Sequence, residues 1–570
     1  MSAIRPGAVR CIDGEVTAAS LADAVAHLVT SAAGSAALQE IYLVTVVGRQ
    51  GGAQRLRRMA TRARGKDLLV LAFERAMASA AALSRPPDAL QIDVGFPPVR
   101  VSAADLAGKG RIRIGRKGLA LLRGERLLAA TGPSEMIAKN RTFEKALARL
   151  LAAQGLTARE LSGGLVEPAL FDAVQVLFEL PQPARGEVLW RGNRVVSPAD
   201  VDASSVTALA DGMVTWMQNQ VEPSGRITYK YHPSVGLEPR ADNSIRQCMA
   251  TVCLNRIALQ TGEERDRELA DRNLEHLLRS YYRQEGGHGF IVEREKAKLG
   301  AAALAALAIL ENPGAARHRE SLEALSRTID GLWQPTGAFR TFFKPAGRND
   351  NQNFYPGEAL VFWATRMAGA GGREDPSRFL ASFDFYRDHF RRDRNPAFVP
   401  WHTQAYFTAL PFVPEEVAGA LRDFVFEMND WLLGMQQWES TSQPDLRGRF
   451  YDPAHPEYGP PHASSTGVYL EGLIDALELA RRLGDQARGR RYRLAILRGL
   501  RSLIQLQFRT PIDMFYVTKR SRVFGGIRTE AYDNAIRVDN VQHGLMAVMK
   551  IIARLPPAEL RLTADGELWP

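Results

Sequence analysis

From about residue 203 onward, apolar side chains recur every three to four positions in one segment after another, the spacing that gives a helix one buried stripe. Twelve segments carry it: 206–220, 244–260, 267–282, 298–311, 317–333, 358–367, 376–390, 401–410, 417–437, 467–483, 491–508 and 541–552. The stretch 299–310 is apolar on every side, which predicts a helix surrounded by protein. Six loops of glycine or proline with an aromatic or arginine punctuate the series: 224–229, 286–290, 336–340, 395–398, 447–451 and 525–528. Their irregular spacing, roughly 50 to 80 residues, fits one helical hairpin plus a variable loop. Six hairpins predict a closed ring of inner and outer helices, with the loop aromatics and charges around a cleft at one end.

The first 195 residues have another rhythm. Short β-branched and alternating runs at 41–47, 90–94, 99–101, 112–114, 119–122, 126–128 and 171–180 predict strands, with helices at 68–83 and 142–154 and glycines at the turns between. The fold class expected is therefore multidomain: an N-terminal α+β domain over 1–195, a linker at 196–205 overlapping the end of the polar stretch 181–202, and an all-α (α/α)6 toroid over 206–560.

Charge changes the picture only for the first part. Residues 1–200 hold 27 Lys and Arg against 18 Asp and Glu, whereas the remainder holds 46 against 45. Much of the excess lies in Arg55, Arg57, Arg58, Arg62, Arg64 and Lys66, and in Lys109, Arg111, Arg113, Arg116 and Lys117. Such a surface reads first as a solvated face, and otherwise suits an acidic protein partner, anionic lipid or nucleic acid; no nucleic-acid reader motif accompanies it. The first residues lack an apolar stretch with a cleavage site, and the longest apolar run is too short to span a membrane, so a cytoplasmic location is expected. Three cysteines, Cys11, Cys248 and Cys253, form neither a disulfide framework nor a zinc spacing. No metal and no cofactor are expected, since glycine-rich phosphate loops and nucleophile elbows are also missing.

Residues 112–124, the helix 142–147 through Leu156, and 171–179 resemble the AMMECR1 family, as do the upstream Ala76, Ala80 and Ala81 and Phe96-Pro97-Pro98-Val99. That family's Arg-Gly-Cys-Ile-Gly stretch is missing, and 48–65 is basic instead, so the resemblance implies a fold rather than an activity. Residues 203–560 resemble the six-hairpin toroids that include glycoside hydrolases, polysaccharide lyases and sugar epimerases. The segments behind this are Tyr355-Pro356-Gly357-Glu358, Pro400-Trp401-His402, Val468-Tyr469-Leu470-Glu471-Gly472 and Arg537 to His543.

Candidate chemistry gathers at helix starts. Glu358, Glu471, Asp539 and His543 are the candidate catalytic groups. Glu471 sits in an apolar stretch where burial raises a carboxyl pKa and makes a general acid, although a buried ion pair would satisfy it equally. Glu358 and Asp242 also read as helix caps, and Asp539 with His543 as a capped helix bearing a surface histidine. Candidate substrate-binding residues are Tyr231, Asp242, Arg246, His288, Trp401, His402, Tyr469 and Arg537; aromatic faces stack on sugar rings. The expected function is a carbohydrate-active enzyme of the six-hairpin glycosidase-like type. Its alternatives are a uronate epimerase or lyase, with Arg246 or Arg537 holding the carboxylate, and a non-catalytic toroid that binds a glycan or protein.

Overall fold

The computed structural model describes residues 7–106, 108–180 and 184–569. Residues 1–6 and the Lys109 side chain, both used in the sequence reading, lie outside the described residues.

The N-terminal part is built on an antiparallel sheet with the order Val9–Ile12, Ala184–Leu189, Glu167–Glu179, Ala89–Gly95, Leu43–Gln50, Ala53–Ala60. The long strand Glu167–Glu179 also pairs with Val99–Arg100 and Lys117–Arg123 through its first half. Alternation sorts the two faces. Val44, Val46, Ile92, Val94, Val174 and Val176 pack under helices α1 (Ala18–Ala33) and α2 (Gly65–Ala81) in one closed core. The opposite face carries the row Thr45, Asp93 and Gln175, joined by strand register and covered by α3 (Pro133–Ala138). Helix α4 (Phe143–Ala153) and the short α5 (Ala158–Ser162) complete this side.

Two expectations change here. Residues 112–114 extend no strand; the chain forms a 3-10 turn over Gly108–Arg113. The stretch 181–202, expected as a linker, supplies the strand Ala184–Leu189, whose Ala184, Val188 and Leu189 are buried. Arg185 is the exposed residue of this strand, whereas Glu187 is buried and paired with Arg185 and Arg194, so the charges that suggest a solvated connection belong to a packed strand.

Among the described residues twelve α-helices follow, at the twelve places the periodicity indicates. They are α6 (Ala203–Gln220), α7 (Ser244–Thr261), α8 (Glu264–Tyr281), α9 (Leu299–Leu310), α10 (Arg319–Leu332), α11 (Tyr355–Gly369), α12 (Ser377–Arg392), α13 (Phe398–Ala409), α14 (Glu415–Leu433), α15 (Ala463–Arg482), α16 (Gln486–Leu506) and α17 (Val538–Arg554). Helices α7, α9, α11, α13, α15 and α17 each pack against the next, and α17 returns to α7, which closes an inner ring. Residues 299–309 of α9 are buried without exception. The glycines of the repeating loops have a common task. Gly225 and Gly337 hold left-handed φ values of +88° and +87°, and a Cβ on either would lie 2.2 Å from a carbonyl oxygen of an outer helix, that of Arg272 or Ala381. Gly448 and Gly525 repeat the contact, so only glycine lets these loops lie on the neighbouring helix. Antiparallel bridges Val221 to Ile227, Trp333 to Phe339, Gln436 to Phe450 and Gln507 to Ile527 close these four loops at their bases, although the loops differ in length.

The two parts are joined by buried polar contacts. Trp190 donates from Nε1 to Asp445 Oδ1 at 3.0 Å, Arg191 places Nε 3.1 Å from Asp445 Oδ2, and Asn534 donates to the Ile137 carbonyl at 2.7 Å. Asp445→Ala leaves Arg191 buried without its counter-charge, which costs about 3–5 kcal/mol. A clear drop in the urea midpoint is the expected result; an unchanged midpoint would show that this pair does not hold the interface.

Candidate active site

The N-terminal turns of all six inner helices border a cavity of about 380 Å³. Arg246 and Met249 come from α7, Tyr355 and Glu358 from α11, Trp401 from α13, Ser464 to Tyr469 from α15, and Asp539 and His543 from α17. Lys298 stands immediately before α9. Helix N-termini carry partial positive charge and free amides, so six of them around one space favour anionic groups there.

Asp539 is buried and firmly ionised. Arg537 donates to Oδ1 at 2.9 Å and also to Oδ2, while Arg246 Nε donates to Oδ2 at 2.6 Å. Burial alone would raise its pKa, but the hydrogen bonds and charges of Arg537 and Arg246 outweigh it and hold the carboxyl well below the usual range. Arg246 uses only Nε in this contact, and its side chain is one-third exposed.

Glu358 is the opposite case. It is 3% exposed, and its Oε2 is buried without a hydrogen-bond partner. Desolvation pushes its pKa up to about 8, against the smaller opposing charges of Arg246 and Lys298, so the side chain is largely neutral at pH 7. Gly300 makes the space: a Cβ there would lie 1.8 Å from Glu358 Oε2. Gly300→Ala should therefore displace the carboxyl and lower turnover by at least tenfold, a magnitude typical of a misplaced catalytic group, with little change in the helical circular dichroism signal. Turnover equal to the parent's would mean that the position of Glu358 is immaterial.

His543 faces the cavity, and its Nδ1 lies 2.7 Å from Glu471 Oε1. A carboxylate behind Nδ1 fixes the ring orientation and, with the proton assigned to Nδ1, leaves Nε2 as the basic atom. Glu471 itself is fully buried and does not border the cavity. Lys550 donates to its carbonyl at 2.8 Å and to Asp475 at 2.6 Å.

Trp401, Tyr469 and Arg246 stand in the cavity wall, and Arg537 acts on it through Asp539. Four candidates are elsewhere. His402, one residue after Trp401, points into the ring wall, wholly buried, stacked 3.5 Å from Phe398 and 2.8 Å from Tyr406 Oη; adjacent residues on a helix differ by about 100° in direction. Asp242 binds Tyr281 and Gln247 at 2.6 and 2.7 Å. Tyr231 is a buried strand residue under the Arg522 guanidinium, and His288 lies in a hairpin strand beside Phe343. The loop aromatics expected around the cleft pack inward instead, as in Phe339 with Trp363 and Phe290 with Phe343.

The cavity also holds residues that the sequence reading passed over: Lys298, Tyr458, His462 and Ser464. His462 caps α15, its Nδ1 accepting from the Ser465 amide at 3.2 Å and lying 2.7 Å from Ser464 Oγ. Burial and then Arg537 lower its pKa to about 4, so it is neutral. Among the described residues no cluster of three His, Cys, Asp or Glu could hold a metal ion.

No protein-family profile matches the chain, and no curated protein matches it in sequence. Solved structures that overlap it include a D-mannose isomerase, 11% identical over 62% of this chain and 98% of that one, with a TM-score of 0.45. An α-1,6-mannanase from Salegentibacter sp. is 12% identical over 60% of this chain and 98% of that one, with a TM-score of 0.42. An unsaturated glucuronyl hydrolase specific for heparin is 10% identical over 61% and 96%, with a TM-score of 0.41. Likeness at this level says nothing about what the cavity does.

Proposed function

We propose that the chain is a carbohydrate-active enzyme of the six-hairpin glycosidase-like type, acting by acid/base chemistry on a glycan that carries a uronate sugar. Glu358 is the acid and His543, held by Glu471, is the base. The observation that carries this is the pairing in one cavity of a carboxyl kept neutral by burial and an imidazole with a fixed free nitrogen, which is how a site separates acid from base. The substrate carboxylate is assigned to Arg246, whose Nη atoms make no hydrogen bond among the described residues, and to Lys298. Trp401 and Tyr469 supply apolar faces for the sugar ring.

In this reading His543 Nε2 removes the proton α to the carboxylate, and the electron pair moves onto the carboxylate oxygens beside Arg246 and Lys298. Glu358 then gives its proton either to the carbon, which inverts it, or to the glycosidic oxygen as that bond breaks. A hydrolytic version has one observation in its favour, the neutral Glu358, which can protonate a leaving oxygen while His543 activates water. It is second because two-carboxylate hydrolysis needs another free carboxylate, whereas Asp539 is held by two arginines and Glu471 lies behind His543. The AMMECR1-like assignment of residues 1–195 rests on the segments quoted above and adds no chemistry to this site.

Incubation with uronate oligosaccharides in heavy water distinguishes the outcomes. Deuterium at the carbon α to the carboxylate, or an unsaturated uronate, is the expected result. New reducing ends with neither of these would move the assignment to hydrolysis, and no change in any uronate substrate would leave a binding cavity.

A further inference from the structure

The basic character of the N-terminal part is unevenly compensated. Lys66 pairs with Asp23, Lys117 with Asp172, and the Arg116 guanidinium lies over the Trp190 ring. Arg55, Arg62, Arg64 and Arg111 are exposed and have no ion-pair partner among the described residues, but one recess gathers several unpaired cations at a half-buried turn. Between the strand Ala53–Ala60 and helices α3 and α4 lies a recess of about 600 Å³ bordered by Arg57, Lys139, Arg141 and Arg149. Among the described residues its one carboxylate is Glu135, which already accepts from Arg57 at 3.0 Å. Among the described residues Lys139, Arg141 and Arg149 have no ion-pair partner, so four cations face one anion and the excess is three charges.

Lys139 and Arg141 are half-buried at the turn between α3 and α4, and burial makes unneutralised charge costly. Their pKa values are lowered, first by burial and then by one another's neighbours, Arg49 and Arg141 for Lys139 and Arg149 for Arg141. Like charges held this close, with an apolar floor of Met59, Leu128 and Leu150, form a site complementary to an anion of more than one charge joined to a small apolar body.

We propose that this recess is a second ligand site, separate from the toroid cavity, that binds a small phosphate-bearing molecule. A phosphate dianion offsets the excess charge better than a single carboxylate, and its oxygens match the forked donors of Arg141 and Arg149.

The test is calorimetric titration of the full-length chain with sodium pyrophosphate and with a hexose 6-phosphate, using sodium lactate as a monoanionic control. Saturable binding of both phosphates is expected, about tenfold or more tighter than lactate and weaker as salt rises toward about 0.3 M. The double variant Arg141→Gln/Arg149→Gln should lose about tenfold or more in affinity for pyrophosphate while its melting temperature and circular dichroism stay near the parent's. Should that variant misfold, Lys139→Met carries the same expectation. Phosphates without measurable heat, lactate binding as tightly, or undiminished binding in a folded variant would each overturn the proposal. So would saturable binding of a glutamate-rich peptide with both phosphates silent, since the recess would then be a protein dock.

Discussion

Glu358→Gln should abolish turnover, by about a hundredfold to ten-thousandfold, the range that a positioned general acid supplies, and should at the same time raise the melting temperature. The two effects have one cause. Burial raises the Glu358 pKa from 4.5 to about 8, so at pH 7 the folded chain keeps a proton that the unfolded chain has released. A group whose folded pKa is raised contributes its full stability below the unfolded value and loses it as pH rises through the folded value. The window here is therefore about pH 4.5 to 8. Glutamine has no proton to hold, so the variant's advantage in melting temperature should be small near pH 5 and should grow toward pH 8. The parent's turnover should fall on the alkaline side as Glu358 ionises. A variant that melts early at every pH would mark Glu358 as a structural partner rather than an acid.

His543→Ala should cost a similar factor in turnover, about a hundredfold to ten-thousandfold, because it removes the cavity's one imidazole with a carboxylate behind it. Glu471→Gln separates positioning from chemistry. The amide keeps the size of the side chain but loses the charge that holds His543 Nδ1 at 2.7 Å, so kcat should fall by about ten- to a hundredfold, as for other groups that orient a ligand or base, with KM little changed. If KM rose and kcat stayed constant for both variants, the pair would be a binding feature and the acid/base assignment would fail.

Much of this was legible in the chain. The twelve toroid helices follow from apolar periodicity because each buries one stripe against the ring, and Glu358, Asp539, His543, Arg246, Trp401 and Tyr469 stand out because they fall at helix starts. The position of Glu471 behind His543 was not legible: the pair joins two helices 72 residues apart, and one sequence does not show which helices meet. Lys298 and His462 were passed over, because nothing local marks the residue before an apolar helix or the one after two prolines as facing a cavity. His402 was grouped with Trp401 at one helix start, whereas adjacent residues on a helix point about 100° apart.

Helix α17 closes the ring, meeting α6, α7 and α15, and it carries both Asp539 and His543. Synthesis runs from the N-terminus, and the eleven preceding toroid helices leave the ribosome before this one. Until then Glu471 has no imidazole to orient and Arg246 no Asp539 carboxylate to hold it, and the proposed acid Glu358 has no base to work with. On the proposed acid/base assignment a chain halted before its last long helix is expected to be inert, however well its earlier hairpins have formed, because it would lack the chemistry as well as the closure.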